Sequence, residues 1–358
     1  MKRKNLSVVR KVKNKTPIIR NPKIKKIYSL FRKNILYNIG TKNFAIGVSG
    51  GPDSMGLAFL GKIFSSEFNN KIHTLIVNHN IRKESKKEAF KVKKMLEQKN
   101  IDSKILNWSG NKPKANIQQK AREIRYTLIS DYCLENNVNY LVTAHHQDDQ
   151  IENFFIRLFR GSGLTGLSSM SERTIYRKNL EIIRPLLNIT KKDIKNITKI
   201  YFPDYIEDPS NTDDKFLRTR IRKYRKYFLQ EGLDTKKINK TISNLMVAKN
   251  ALDFYKKRAL NENVNFLSKN TCVINTKIFS GEANEIIFKM LSDVLSLVSG
   301  SYYPPRSKKI LYLITQLKNH SFKKLTLGGC IVEKKDSFIK VTKEIKSRRQ
   351  PYMVKRLD

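Results

Sequence analysis

Between Phe44 and about Leu187, short apolar stretches alternate with longer segments in which apolar side chains recur with helical spacing. The short stretches predict β-strands and the longer segments predict α-helices. The predicted strands are Phe44–Val48, Ile72–Val77, Ser103–Asn107, Tyr140–Thr143 and Glu181–Arg184. The predicted helices are Asp53–Phe68, Ser85–Asn100, Asn116–Asn136, Asp148–Arg160 and Thr190–Phe202. This alternation predicts an α/β fold, a parallel five-stranded sheet with helices on both faces.

The chain on either side of this alternation follows other patterns. Residues 1–26 are basic and polar, and we interpret them as an N-terminal arm that precedes a short helix, Ile27–Leu36. We place a domain boundary at Gly232, so that residues 27–232 form the α/β domain and residues 233–358 form a C-terminal region. That region is predicted to be mostly helical and to end in a small α+β part: helical pattern at Ile238–Ser299, a helix at Ser307–Leu317, and hairpin strands at Gly329–Glu333 and Phe338–Thr342.

Composition is typical of a folded protein with two domains, since the chain has 358 residues, of which 39% are hydrophobic. No apolar run approaches the ~20 residues of a membrane span, and no apolar segment of a secretory signal follows the basic N-terminus. The three cysteines, Cys133, Cys272 and Cys330, form no C-x-x-C pair, which argues against a zinc ribbon, an iron–sulfur cluster or a disulfide framework. We expect a cytoplasmic protein that does not associate with membranes. The oligomeric state stays open, with a homodimer as one alternative.

Positive charge dominates the chain, because 72 lysines and arginines stand against 31 acidic residues for a formal net charge of +41. No acidic residue precedes Asp53. Such an excess favours a polyanionic partner, with nucleic acid first and an anionic membrane surface second. The alternative is that a genome biased toward Lys, Asn and Ile codons produced part of the charge.

A glycine turn follows the first predicted strand and reads Ser49, Gly50, Gly51, Pro52, Asp53 and Ser54. Glycines allow the backbone to approach a ligand closely, and the N-terminus of the following helix favours a phosphate. The turn has no Gly-Lys-Ser/Thr, which argues against Walker-type transfer of a γ-phosphate. Asp53 fits next to phosphates if Mg²⁺ bridges them. The alternative is an ordinary turn with Asp53 as a helix cap.

Three further sets of side chains are candidates for chemistry, and the first of them lies at the carboxyl edge of this sheet. His145, His146, Asp148 and Asp149 follow the strand at Tyr140 and are candidate metal ligands by residue type, whereas the alternative is helix capping by the two aspartates. Arg122 and Arg125 lie three apart on one predicted helix face, where they suit phosphate binding or a solvated basic surface. The cluster Arg218, Arg222 and Arg225, with tyrosines between, suits RNA contacts or a plain solvated helix.

The hexapeptide Ser49–Ser54 resembles the pyrophosphatase loop of the N-type ATP pyrophosphatases, which cleave ATP between its α and β phosphates. Downstream segments are similar to the bacterial tRNA(Ile)-lysidine synthetase family: Val77–Arg82, Asn116–Tyr126, Thr143–Met170, Arg184–Leu187 and Glu207–Arg222. The resemblance is strong from Phe44 to Arg222 and faint beyond. Asn78 departs from the pattern, because the family usually has Asp there, and this leaves a carboxylate role at that position open.

The resemblance implies a PP-loop ligase. It would use ATP with Mg²⁺ to adenylate C2 of the wobble cytidine of a CAU-anticodon tRNA(Ile), after which free lysine displaces AMP and forms lysidine. Site roles implied by the resemblance are ATP binding at Ser49–Ser54, Mg²⁺ orientation and catalysis at Asp53, catalysis at Arg125 and Asp149, lysine binding at His145, Asp148, Asp149 and Glu152, and tRNA binding at Arg122, Arg218, Arg222, Arg225 and the C-terminal region. Two alternatives stay open: a PP-loop tRNA thiolation enzyme and a non-catalytic basic RNA-binding protein.

Overall fold

The computed structural model divides the chain into two compact units, Met1–Ser243 and Asn244–Asp358. It describes residues 21–81, 84–112, 117–176, 180–207, 217–301, 304–319 and 321–345, without the side chains of Gln118, Arg225, Lys226 and Leu229. The sequence placed a boundary near residue 232, but the division falls inside a continuous helix, Thr235–Asn263. No glycine or proline lies in that helix to mark the boundary.

The first unit alternates strands and helices, as its hydrophobic pattern predicted. Its strands are β1 (Phe44–Val48), β2 (Ile72–Asn78), β3 (Ser103–Asn107), β4 (Tyr140–Val142), β5 (Arg173–Tyr176) and β6 (Leu180–Ile183). Its helices are α1 (Pro22–Asn38), α2 (Pro52–Phe68), α3 (Ser85–Glu97), α4 (Ile117–Glu135), α5 (Gln147–Leu158), α6 (Leu164–Leu167), α7 (Lys191–Tyr201), α8 (Leu217–Gln230) and the start of α9 (Thr235–Asn263).

The sheet of this unit has the strand order β3-β2-β1-β4-β6-β5. The first five strands in this order are parallel, and β5 pairs antiparallel with β6 at the edge. The prediction of five parallel strands is confirmed, but the sheet is six-stranded because the sequence analysis missed β5. From β1 the chain moves outward to β2 and β3 and then returns to β4 on the other side. The loops after β1 and β4 therefore flank a topological switch point, where ligands bind in such sheets.

Helices cover both faces of the sheet. Apolar side chains of α1, α2, α3 and α7 pack on one face, against alternate residues of β1 such as Phe44 and Ile46. Helix α4 packs on the other face, where Ile129 and Cys133 share an apolar cluster with Ala45. A separate apolar cluster joins α5, α8 and the start of α9.

Helix α1 begins at Pro22, capped by the side chain of Asn21, and buries Ile24. Residues 22–26, which we assigned to the N-terminal arm, therefore form the first turn of a packed helix. The rest of that predicted arm, residues 1–20, lies outside the described residues. No helix in the described ranges is both long enough and apolar enough to cross a membrane.

The second unit contains an antiparallel sheet with the order β7-β8-β11-β10-β9. After α9, its elements are β7 (Val264–Ser268), β8 (Thr271–Asn275), α10 (Ile278–Gly281), α11 (Asn284–Ser299), α12 (Ser307–Lys318), β9 (Lys324–Leu327), β10 (Cys330–Lys334) and β11 (Phe338–Lys343). The predicted hairpin is confirmed as β10 and β11. The prediction of helix throughout Ile238–Ser299 is wrong, because β7 and β8 interrupt it. Both pair in the sheet, and Cys272 and Ile274 of β8 are buried in its core.

Candidate active site

The turn between β1 and α2 is held in shape by its own serine. The main-chain N–H of Ser49 donates to Ser54 Oγ at 3.1 Å, and that hydroxyl donates to the carbonyl of Gly51 at 3.0 Å. Gly50 lies between them with φ of +86°, a conformation that favours glycine. Gly51 is the N-cap of α2 and offers no side-chain acceptor to the first N–H groups of the helix. The turn is thus suited to receive an anion there.

Helix α7 and the segment after it hold this turn in place through hydrogen bonds to its main-chain carbonyls. The N–H of Ile206 donates to the carbonyl of Gly50 at 2.9 Å, and Thr198 Oγ1 donates to the carbonyl of Pro52 at 2.5 Å. A Cβ at Gly50 would lie 2.5 Å from Val92 Cγ2, which is closer than real contacts allow. The turn is therefore packed on its protein side.

Asp53, in the first turn of α2, faces the N-terminus of α5. Its Oδ2 lies 3.4 Å from His146 Nε2, and that nitrogen lies 3.5 Å from Asp149 Oδ2. Among the described residues, Asp53 Oδ1 is buried and has no hydrogen-bond partner. The turn after β1 and the turn after β4 therefore bring two carboxylates to the same imidazole nitrogen.

His146 connects these two carboxylates through a reciprocal cap of α5. The N–H of Asp149 donates to His146 Nδ1 at 3.3 Å, and the N–H of His146 donates to Asp149 Oδ2 at 3.2 Å. Because Nδ1 accepts, the proton of the neutral ring lies on Nε2, toward Asp53. Burial alone lowers the pKa of His146, but the hydrogen bond with Asp53 and the charge of Asp149 outweigh burial and raise this pKa above its ordinary value.

His145 lies beside this group but has the opposite electrostatics. Its Nδ1 is 2.8 Å from Thr143 Oγ1. Burial, followed by the positive charges of Arg184 and Arg122, lowers the pKa of His145 to about 3. The ring is therefore neutral at physiological pH and carries no charge to repel an ammonium group.

A cavity of about 310 Å³ opens over the carboxyl ends of β1, β2 and β4. It brings together predicted site residues from distant parts of the chain: Ser49, Gly51, Asp53, Ser54, Arg122, Arg125, His145, Asp149 and Arg218. Strand residues such as Ile76 and Leu141 supply its apolar walls. The cavity thus combines apolar surface with a phosphate-suited turn and several arginines, an arrangement typical of a nucleotide site.

Two arginines of α4 contribute to the lining of the cavity. Arg122 stacks on the ring of Tyr126, 4.9 Å from its centroid, and its Nη2 donates to the Tyr126 hydroxyl at 3.2 Å. Arg125 lines the cavity as well. Tyr126 lines the cavity, but the site prediction did not include it. It is the last residue of the segment Asn116–Tyr126, which contributed to the family resemblance.

Asp148 does not line the cavity. Its Oδ2 accepts the main-chain N–H of Lys191 at 2.9 Å and thereby binds the first turn of α7 to α5. The sequence analysis held helix capping as the alternative role of Asp148, and its carboxylate does bind a helix N-terminus, that of the neighbouring helix α7.

Glu152 is buried behind the cavity and engages a residue that we predicted to bind tRNA. Arg222 Nε donates to Glu152 Oε1 at 2.6 Å, and Arg222 Nη2 donates to Glu152 Oε2 at 3.2 Å. Arg218 Nε lies 3.9 Å from the same carboxylate. The structure therefore pairs a predicted lysine ligand with a predicted tRNA ligand. The side chain of Arg225, another predicted tRNA ligand, lies outside the described residues.

Asn78, which departs from the family pattern, is hydrogen-bonded within the protein through both its amide nitrogen and its amide oxygen. Its Nδ2 donates to Asn107 Oδ1 at 3.0 Å, and its Oδ1 accepts from the N–H of Asn80 at 3.1 Å and from Ser85 Oγ at 3.0 Å. The side chain is buried at the end of β2, directly before the cavity residue His79. Its hydrogen bonds indicate that it shapes this turn.

Within the described ranges, no cluster of three or more His, Cys, Asp or Glu side chains could hold a metal ion by itself. A Mg²⁺ held mainly by phosphates needs only one or two carboxylates from the protein. Asp53, with its unpartnered Oδ1 at the glycine turn, fits that requirement.

Residues 22–225 match the family model of the PP-loop domain. The tRNA(Ile)-lysidine synthase of Orientia tsutsugamushi (strain Boryong) is 35% identical over 308 residues, which cover 84% of this chain and 69% of that protein. The tRNA(Ile)-lysidine synthase of Wolbachia pipientis wMel is 36% identical over 305 residues, covering 84% and 70%.

Among solved structures, the chain is similar to the U34-tRNA thiolase NcsA from Methanococcus maripaludis with its [4Fe-4S] cluster. The TM-score is 0.53 at 18% identity, and the match covers 62% of this chain and 79% of that one. At this identity the likeness is one of fold, and it agrees with the observed parallel sheet.

Proposed function

This chain belongs to the tRNA(Ile)-lysidine synthase family, and from that premise we propose that it is the ligase that converts the wobble cytidine of CAU-anticodon tRNA(Ile) to lysidine, with ATP and free L-lysine as co-substrates. In the first step, the C2 oxygen of the cytidine attacks the α-phosphorus of ATP and diphosphate leaves. In the second step, the ε-amine of lysine attacks C2, the bond from C2 to the AMP oxygen breaks, and the amine loses a proton.

The glycine turn supports the first step. Its glycines and the uncapped N-terminus of α2 suit the β- and γ-phosphates of ATP. Asp53 would hold Mg²⁺ against those phosphates, and the ion would neutralise the charge of the leaving diphosphate. Ser54 acts indirectly, because its hydroxyl is already bonded to Gly51 and keeps the turn in shape.

The arginines of α4 suit the reacting α-phosphate and the nucleotide to which it is transferred. Arg125 lines the cavity and would stabilise negative charge that develops on the α-phosphate oxygens. Arg122 and Tyr126 present a guanidinium stacked on an aromatic ring, a combination that proteins use to bind unstacked RNA bases. The wobble base must leave the anticodon stack to react, so such a platform is needed near ATP.

Lysine requires acidic partners and a site that tolerates its unprotonated amine during attack. Asp149 lines the cavity and is our first candidate for the ammonium group, with neutral His145 beside it. Because its pKa is about 3, His145 is a weak base and is a poor candidate for the group that accepts the proton from the amine. Asp148 is a weaker candidate than Asp149, because its Oδ2 already accepts the N–H of Lys191 and the residue does not line the cavity.

The tRNA itself would lie along the basic surface of α8, with Arg218 at the cavity edge. Arg218 is about half exposed and lines the cavity. The excess positive charge of the chain favours binding of a polyanion. We also expect the second unit to contact tRNA, and we expect the protein to act in the cytoplasm.

The thiolation alternative is disfavoured by the state of the cysteines. All three are buried and free, and burial raises the pKa of Cys133 and of Cys272 to about 12. Protonated buried thiols are poor nucleophiles and poor cluster ligands. The cysteines are thus unsuited to sulfur transfer.

The observation that carries the proposal is the junction of Asp53, His146 and Asp149 between the two switch-point turns, in a chain of this family. The test is incubation with labelled lysine, ATP and CAU-anticodon tRNA. We expect label in the tRNA together with release of AMP and diphosphate. Salt-sensitive tRNA binding without incorporation would instead support the non-catalytic RNA-binding protein.

A further inference from the structure

The ion pair between Glu152 and Arg222 occupies one of the carboxylates that the sequence analysis assigned to lysine. The Glu152 side chain is only 3% exposed, and both of its oxygens accept hydrogen bonds from Arg222. Leaving a carboxylate this deeply buried without a cationic partner is strongly destabilising. Arg222 occupies both oxygens of Glu152, whereas Arg218 Nε is farther away, at 3.9 Å from Oε2, so an ammonium group that binds Glu152 must displace Arg222.

The pair lies directly behind the acidic wall of the cavity. Glu152 is three residues after Asp149 on α5, so the two carboxylates are neighbours on one helix face. The hydrogen bond with Glu152 raises the pKa of Arg222, and the charges of Asp149 and Asp53 act in the same direction. The guanidinium thus lies within electrostatic range of the cavity carboxylates as well as of Glu152.

Arg222 also faces the solvent side of α8. About a third of its side chain is exposed, on a helix that also exposes Arg218 and Arg220. The helix itself is fixed to α5 by apolar contacts, among them Phe228 stacked on Phe155 with ring centroids 5.1 Å apart. A rotation of the Arg222 side chain is therefore enough to change its partner, and α8 does not need to move.

We propose that Arg222 is a gate that couples lysine binding to tRNA binding. This inference rests on the proposed function. In the free protein Arg222 holds the Glu152 carboxylate. A tRNA phosphate, which accepts a guanidinium in the same two-pronged geometry, draws Arg222 away, and an ammonium group of lysine takes its place at Glu152. Each charge stays paired throughout the exchange.

Coupling of this kind is reciprocal. If tRNA increases the affinity for lysine by some factor, lysine must increase the affinity for tRNA by the same factor. The measurement is equilibrium dialysis of labelled lysine against the full-length protein without ATP, with and without saturating CAU-anticodon tRNA. We expect tRNA to tighten lysine binding on the order of tenfold, and filter binding of tRNA with and without lysine to give the same factor.

Variants of α8 separate the gate from simple charge effects. Arg222→Gln removes the competitor, so the tRNA-free variant should bind lysine about as tightly as the wild type with tRNA, and tRNA should add nothing further. Arg220→Gln is the matched control, because it removes the same charge from the exposed side of α8. It should weaken tRNA binding and keep the coupling factor. Glu152→Gln removes the carboxylate for which Arg222 and lysine compete, so lysine binding in the presence of tRNA should weaken on the order of tenfold and tRNA should no longer change the lysine affinity. Circular dichroism melting curves check that each variant folds.

The proposal is wrong if tRNA leaves the lysine affinity of the wild type unchanged. It is also wrong if folded Arg222→Gln binds lysine more weakly than the tRNA-free wild type, because Arg222 is then a permanent partner of Glu152. Incorporation of labelled lysine by the wild type with no coupling refutes the gate and leaves the proposed function intact. Absence of incorporation refutes the proposed function and, with it, the gate.

Discussion

Gly50 is the residue of the glycine turn whose replacement most directly tests whether the shape of the turn matters. An alanine there must adopt φ of +86°, which costs about 1–2 kcal/mol. Its Cβ would also lie 2.5 Å from Val92 Cγ2 and 3.2 Å from Ile206 Cδ1, an overlap that costs about 1–3 kcal/mol. We therefore expect Gly50→Ala to lower the free energy of unfolding by about 2–5 kcal/mol.

Gly40 is the matched control for this change. Its φ is +69°, but no atom lies within 4 Å of the position that a Cβ would occupy. Gly40→Ala should therefore cost only the backbone strain, about 1–2 kcal/mol. The difference between the two variants isolates the packing of the glycine turn against α3 and the segment after α7.

Catalysis should respond to Gly50→Ala more strongly than stability does. To relieve the overlap, the turn must shift by a large fraction of an ångström, and misplacing a binding group by that much costs about a hundredfold in rate. The assay is the kcat/KM for ATP in lysine incorporation, combined with urea unfolding followed by circular dichroism. Equal losses of stability in Gly50→Ala and Gly40→Ala, with full activity in both, would refute the packing argument.

Two further predictions concern residues at neighbouring turns. Asn78→Asp should retain most activity, because the carboxylate still accepts from Asn80 and Ser85, and the side-chain amide of Asn107 can rotate so that it donates to the new carboxylate. Asn78→Leu removes these hydrogen bonds and should lower the free energy of unfolding, measured in urea, by about 1–3 kcal/mol. Equal effects of the two substitutions would contradict this view. The lowered pKa of His145 favours its neutral form in the folded protein, so its stabilising effect is present above the unfolded-state pKa of about 6.5 and is lost as pH falls toward its folded value of about 3. The free energy of unfolding of the wild type should therefore fall over this pH range relative to that of His145→Asn. Parallel curves of unfolding free energy against pH for the two proteins would contradict the assignment.

The sequence predicted the part of the fold that depends on local pattern. Strand β1 was predicted with its observed bounds, Phe44–Val48, because a buried apolar strand before a glycine turn leaves little ambiguity. Strand β5 was missed because its four residues are largely exposed at the sheet edge and show no apolar face. Strands β7 and β8 were missed although Val264–Ser268 and Thr271–Asn275 contain β-branched residues around a Lys-Asn turn. The long helical pattern before them dominated the prediction.

Residue types at the site were predictable, but their pairing was not. The loop residues and Asp149 meet in one cavity as the switch-point rule predicts. Glu152 and Arg222 are 70 residues apart in the chain, and no local pattern indicates that they bind each other. Asp148 likewise depends on where the N-terminus of α7 lies, which only the packed structure defines.

The most direct test of the central claim is the identity of the wobble nucleoside after reaction. CAU-anticodon tRNA is incubated with the protein, ATP and lysine, digested to nucleosides and analysed by mass spectrometry. We expect lysidine in place of the wobble cytidine for the wild type, and unchanged cytidine for Asp53→Asn, which should still bind tRNA. A thiolated or unmodified wobble base with the wild type, or full lysidine formation by Asp53→Asn, would contradict the account.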